Sequence, residues 1–115
     1  NLALLEQRRY ADAEASLREL VAQYEQAAPG DWRRFFAQSM LGEALVGRKE
    51  YAGAEPLLLS GHDGMTRAYD RIPAASRQAV TSAGRWIVQL YEDSGNPQKA
   101  AEWRERLQRR RTENR

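Results

Sequence analysis

The chain has 115 residues, a length typical of one folded domain, and its 42% apolar and 30% charged residues exclude a disordered tail. It has no cysteine, which excludes disulfide bridges and thiolate metal sites and is compatible with a reducing compartment, so we expect a cytoplasmic protein. The formal net charge is only +2, and no apolar run reaches the roughly 20 residues that a membrane-spanning helix needs.

The first predicted helix runs from Tyr10 to about Ala28. Its apolar residues recur at spacings of three and four, which is the pattern of one buried helix face. Pro29-Gly30 ends this helix, and Asp31 is placed to cap the next one by accepting backbone N–H bonds. The helical pattern is present from the first residues without an initiator Met, so we expect the chain to be part of a longer protein.

The second predicted helix spans Trp32 to Val46 and ends at Gly47-Arg48-Lys49. Its buried side includes either Phe35 or Phe36, because two adjacent helix positions cannot both point fully inward.

The third predicted helix begins at Tyr51 or Ala52 and ends at Arg71. Its middle, Ser60–Gly64, is a weak helix-forming stretch that could bend. Pro73 is expected to open a fourth helix.

The clearest helix boundary is Gly95-Asn96-Pro97. Glycine suits the left-handed residue after a helix, asparagine the following cap and proline the first helical position. A fifth helix therefore follows at once, and we expect it to fray after about Arg109. Its buried residues are predicted at spacings of three and four: Ala100, Trp103 and Leu107.

The helical pattern repeats along the chain. Ala54 follows Ala13 by 41 positions, and Ala100 follows Ala54 by 46. Each alanine comes three residues after an aromatic residue or a proline at a helix start, and a small side chain there lets two helices of a hairpin approach closely. Such hairpins bury their apolar faces by stacking, which takes about three of them. In the first copy the repeated residues are Leu4, Tyr10, Ala13 and Leu17. In the second copy they correspond, in the same order, to Leu45, Tyr51, Ala54 and Leu58.

Two segments carry a family resemblance. Leu41-Gly42-x-x-Leu45 followed by Tyr51-x-x-Ala54 resembles the tetratricopeptide repeat, and Ile87–Tyr91 with Gly95-x-Pro97-x-x-Ala100 resembles a more divergent copy. The resemblance implies an all-α fold of about five long helices, a right-handed superhelical stack of antiparallel hairpins. It covers residues 1–115 as a single domain whose first repeat is truncated.

The chain departs from the family pattern at several positions. Arg8 and Lys49 stand where the turn glycine is usual, and Gln38 and Gly84 stand where an early tryptophan is usual. The repeat is longer than usual and is similar to the variety in kinesin light chains. Tyr51–Leu59 is similar to segments of arrays that follow bacterial serine/threonine kinase domains, which implies a regulatory or scaffold segment of a bacterial signalling protein.

The function that the resemblance implies is binding of a peptide or partner helix in a concave groove. Arg85 and Gln89 could hold a carboxylate or peptide backbone there, or could simply be solvated surface residues. Leu2 and Leu5 would come from the truncated first helix. The residues expected to face the groove are Phe36, Ser39, Glu43, Val46, Ser82, Arg85, Gln89 and Glu92.

Catalysis, metals and cofactors have no supporting pattern in the sequence. Ser60, His62 and Asp63 are the residue types of a hydrolytic triad, but their spacing on one helix does not produce its geometry. The chain has one histidine and no cysteine, so it offers few ligands for a metal ion. It also has no glycine-rich phosphate loop. We expect no enzyme activity and no cofactor, with His62 in a packing role.

Two other partner hypotheses remain open. The arginine-rich end, Arg104–Arg115, could contact nucleic acid or acidic lipid, although its glutamates favour a solvating end cap. The truncated first repeat could mediate self-association. Trp32, Trp86 and Trp103 are interpreted as packing residues.

Overall fold

The structure is a computed structural model that describes residue 5 and residues 7–113, with side chains through residue 110. This part of the chain is all helical and contains no strand, as predicted. In it, no helix has the length and apolar character needed to cross a membrane. The five long helices are α1 (Tyr10–Ala27), α2 (Trp32–Gly47), α3 (Tyr51–Arg67), α4 (Gln78–Asp93) and α5 (Pro97–Glu113).

Two predicted helix starts are confirmed in atomic detail. The Asp31 carboxylate accepts the backbone N–H of Arg33 at 2.9 Å, which caps α2. Asn96 Oδ1 accepts the backbone N–H of Lys99 at 3.2 Å, and Pro97 is the first residue of α5. Local sequence chemistry is sufficient to place both helix starts.

The third and fourth predicted helices differ from the structure at their ends. α3 stops at Arg67 instead of Arg71, and a short 3-10 turn, Tyr69–Arg71, follows. Pro73 adopts an extended ψ of 140° and leads into a second 3-10 turn, so α4 begins only at Gln78. The fifth helix continues to Glu113, beyond the predicted fraying point.

The glycine-rich middle of α3 remains helical, and it is packed against α2. A Cβ atom at Gly61 would lie 2.6 Å from the carbonyl oxygen of Phe35 and 2.3 Å from Ser39 Oγ. A Cβ atom at Gly64 would lie 2.2 Å from the ring of Phe35. These glycines allow two helix backbones to approach closely, which offsets their weak intrinsic helix propensity.

The turns that follow the repeat spacing share one backbone conformation. Arg8, Lys49 and Gly95 have φ angles of 58°, 63° and 82°, the left-handed region. The two departures from the usual turn glycine therefore keep the conformation that glycine would adopt. Lys49 and Gly95 belong to Schellman motifs, whose second bonds join Glu50 N to Leu45 O at 2.8 Å and Asn96 N to Tyr91 O at 2.7 Å.

The helices pack as successive neighbours. α2 contacts α3 and α4 contacts α5, while α1 contacts α2, α3 contacts α4 and α2 contacts α4. Ala13, Ala54 and Ala100 are each 0% exposed, so the small residue of each copy lies in the interior. Phe35 and Phe36 are both half-buried, so the expectation that one of them points fully inward is wrong.

Candidate partner-binding groove

The surface formed by α2 and α4 positions most of the predicted groove residues. The rings of Phe36 and Trp86 stack with centroids 6.0 Å apart and planes inclined by 9°. Seven residues further along each helix, Glu43 lies close enough to Asp93 for the Asp93 charge to raise the Glu43 pKa. Because residue numbers rise together in both contacts, α2 and α4 run in the same direction.

Three aromatic side chains form a row across this surface. Trp32 lies one helical turn before Phe36, with ring centroids 6.5 Å apart, and Trp86 continues the row onto α4. We call Trp32, Phe36 and Trp86 the aromatic row. Each of these side chains is half-buried, so each packs against the core and also presents ring surface to solvent.

Glu43 is the buried acid of the groove. Its residue exposure is 9%, and its Oε1 has no hydrogen-bond partner among the described residues. Burial, with a smaller contribution from the charge of Asp93, raises the pKa of Glu43 to about 8. The side chain is therefore mainly protonated at neutral pH, and Asp93 carries the charge at this end of the groove.

Three of the predicted groove residues are buried, Ser39 and Val46 in addition to Glu43. Ser39 is 0% exposed and Val46 is 2% exposed, so neither offers surface to a bound peptide. Ser39 lies against Gly61 of α3 at the close contact of the two helices. The helical spacing predicted that both face the groove, but the interior extends further around α2 than the spacing indicated.

The predicted groove residues on α4 are not all directed to the groove. Ser82 and Gln89 are half-buried and Arg85 is exposed, with an Arg85 guanidinium N–H donating to Ser82 Oγ at 3.3 Å. Glu92 forms an ion pair with Arg104 of α5 and is thereby directed to the hairpin partner. Of the two leucines expected from the truncated helix, Leu5 is buried, and Leu2 lies outside the described residues.

The three residues of triad type are each engaged elsewhere. Ser60 donates to Gln38 Oε1 at 3.4 Å, and Asp63 pairs with Arg67 at 3.1 Å. His62 is 6% exposed and meets the ring of Trp103 edge-on at 5.6 Å, in a packing environment. Among the described residues, no group of three potential metal ligands lies close enough to hold an ion.

The basic end of the chain is partly neutralised where its side chains are described. Arg104 pairs with Glu92 of α4, and Arg109 pairs with Glu105 at 3.4 Å. Arg106 lies over the ring of Trp103, 4.4 Å from its centroid. Two of these arginines are therefore paired with carboxylates and one with an aromatic ring.

Sequence reasoning predicted the aromatic row only in part: Phe36 was expected in the groove, but the tryptophans were interpreted as packing residues in preference to ligand-binding ones. The spacing of Trp32 and Phe36 indicates a shared helix face, but the stacking with Trp86 depends on the approach of α4. Comparisons of the chain with family models, curated proteins and solved structures found no match. Function is therefore inferred from the contacts of the chain itself.

Proposed function

We propose that this chain is a non-catalytic helical-repeat module of the tetratricopeptide type, which binds an extended peptide along the α2–α4 surface. The observation that carries the proposal is the aromatic row, half-exposed on two helices that run in the same direction. Rings held by a core on one side and open to solvent on the other supply large contact area at low entropic cost.

The superhelical stack is part of this proposal. It is supported by the shared left-handed turns at Arg8, Lys49 and Gly95, by the fully buried alanines of the three copies, and by the contact of α2 with α4. In a stack of hairpins the first helices of successive repeats lie side by side, and α2 and α4 are those helices.

The charges of the groove specify the partner further. Asp93 lies seven residues beyond the stacked rings along α4, a distance of about 10 Å along a helix. An extended peptide covers that distance in about three residues. The proposed ligand is therefore a peptide with an apolar side chain against Phe36 and Trp86 and a lysine or arginine about three positions away beside Asp93.

Selection of peptides tests this proposal directly. A random peptide library displayed on phage is selected against the purified chain, and we expect enrichment of an apolar residue with a basic residue about three positions away. A synthetic peptide of the enriched sequence is then titrated by calorimetry. Trp86→Ala is expected to weaken binding by about tenfold or more, and Trp86→Phe to retain most of it.

Matched controls separate loss of binding from loss of folding. Circular dichroism checks that each variant keeps its helical content, and Gln23→Ala on the exposed face of α1 should bind like the original chain. Asp93→Asn should weaken the binding of the peptide that has the basic residue. The affinity for a version of that peptide with a neutral residue in its place should not change. Failure to enrich any peptide, or affinities indifferent to Trp86 and Asp93, would contradict the proposal.

A further inference from the structure

A second cavity lies away from the aromatic row, where α3, α4 and α5 meet. Its volume is about 190 Å³. Its lining includes the apolar or aromatic residues Tyr69, Val80 and Leu107 and three arginines, Arg77, Arg85 and Arg110. We call this cavity the basic pocket.

The basic pocket has positive charge that its own lining does not neutralise. Among the side chains that the structure describes, no carboxylate lines it, and no ion pair includes Arg77, Arg85 or Arg110. Burial and the nearby charge of Arg110 lower the pKa of His62, a further lining residue, to about 4. His62 is therefore neutral at physiological pH and adds ring surface without charge.

Two of the arginines make hydrogen bonds within the described structure. Arg77 Nε donates to the carbonyl oxygen of Ile72 at 3.1 Å, and its guanidinium lies 4.6 Å from the centroid of the Tyr69 ring. The Nη groups of Arg77 are not used in that bond. Arg85 is exposed and donates to Ser82 Oγ, one turn earlier on α4, at 3.3 Å. Guanidinium groups bonded in this way lose less further side-chain entropy when they bind an anion.

We propose that the basic pocket binds a small amphipathic anion, an apolar group of about ring size that ends in a carboxylate or phosphate. A cavity of about 150 Å³ is sufficient for benzene, so the pocket accommodates such a group but is smaller than the sites of drug-sized ligands. The apolar part lies against Val80, Leu107 and Tyr69, and the guanidinium groups bind the anionic head, as arginine forks do.

Titration with simple probes tests the pocket. Phenyl phosphate, phenylacetate and the neutral benzyl alcohol are added to the purified chain, and binding is followed by calorimetry and by amide chemical shifts. We expect at least one of the two anions to bind with a Kd of millimolar or below and about tenfold more tightly than benzyl alcohol. The backbone amides whose chemical shifts change on binding should include those of Thr81 and Leu107.

A matched pair of variants on α5 assigns the charge requirement. Arg110→Gln is expected to weaken binding of the anion by about fivefold to tenfold, and Arg85→Gln to act similarly. Arg109→Gln, adjacent in sequence but paired with Glu105 outside the pocket, should leave binding unchanged. Trp86→Ala, which tests the groove, should also leave it unchanged, so the two proposals fail separately.

A further arm distinguishes the two sources of such an anion. N-acetyl-phosphotyrosine amide presents the same aryl phosphate as part of a peptide. Tighter binding than that of phenyl phosphate assigns the pocket to a partner side chain, and weaker binding assigns it to a free small molecule; either result supports the pocket. Absence of binding by both anions at millimolar concentration, equal binding of benzyl alcohol, or equal losses in Arg109→Gln and Arg110→Gln would overturn the proposal.

Discussion

Glu43 of α2 lies beside the candidate groove, and its burial lowers the stability of the folded chain. Its hydrogen-bonding capacity is incompletely used among the described residues, and its pKa is raised to about 8 by burial and by Asp93. A carboxyl group that must hold a proton to remain buried is costly at any pH where the unfolded chain would release it.

The pH dependence of stability follows from that pKa. Between its unfolded value of 4.5 and its folded value of about 8, Glu43 binds a proton in the folded state that the unfolded state lacks. Stability therefore falls as pH rises through this window and is unaffected below it. We predict that Glu43→Gln stabilises the chain by about 2–3 kcal/mol at pH 7 and has little effect at pH 4.

Urea denaturation at several pH values measures this effect. The gain from Glu43→Gln should grow with pH across the window and level off above about pH 8. The exposed Glu102→Gln serves as the control and should show no such growth. A gain that is the same at pH 4 and pH 7 would mean that the proton on Glu43 is not its source.

Lys49 and Arg8 adopt the left-handed turn conformation at positions where glycine is usual. Both occupy the left-handed region that favours glycine, at a cost of about 1 kcal/mol each for a residue with a Cβ atom. The Schellman bonds that follow at Lys49 and the stacking of α2 on α3 offset this cost. The turn is therefore retained without the usual glycine.

At the scale of the element, two of the three glycines of α3, Gly53 and Gly61, have opposite roles. Gly61 lies where a Cβ atom would meet the carbonyl oxygen of Phe35 at 2.6 Å, and backbone cannot move aside cheaply. Gly53 has only an ordinary contact, with Leu45 Cδ1 at 3.5 Å. Helix propensity alone would favour alanine at both positions by about 1 kcal/mol.

We predict that the two alanine substitutions have opposite signs. Gly53→Ala should stabilise by about 0.5–1 kcal/mol through helix propensity, and Gly61→Ala should destabilise by about 1–3 kcal/mol because α2 and α3 must separate. Each free energy of unfolding is measured by urea titration, with the matched glycine in the same helix as control. Stabilisation by both substitutions would show that the close contact of α2 with α3 is absent.

At the scale of the whole molecule, α4 packs against both its hairpin partner and helices that precede it in the chain. The buried face of α4 includes Ile87 and Leu90, which pack with Ala54 and Leu58 of α3 and with Ala100 of α5. α4 is therefore supported from both sides, and loss of one neighbour exposes half of its apolar surface.

Truncation tests this dependence. A chain that ends at Ser94 lacks α5, and we expect it to lose more helical content by circular dichroism than α5 alone contributes, because α4 loses its partner. A chain that ends at Arg110 should keep the thermal transition of the original. If the shorter chain loses no more than the helical signal of α5, α4 is stable without its hairpin partner.

What the sequence determined by itself is local or periodic: the all-helical class, the caps at Asp31 and Asn96, the left-handed Gly95 and the small residues of each copy. These depend on backbone chemistry within a few residues or on the 3.6-residue period, and both are visible in one chain. The assignment to the tetratricopeptide family and the peptide-binding function remain predictions.

What only the tertiary structure decided depends on how closely the helices approach. The burial of Ser39 and Val46, the protonated state of Glu43 and the stacking of Phe36 on Trp86 all result from distances between helices. The basic pocket combines side chains from three helices that are far apart in sequence. A hydrophobic period records which face of a helix is buried, but it carries no information on the angle or distance at which a neighbouring helix covers that face.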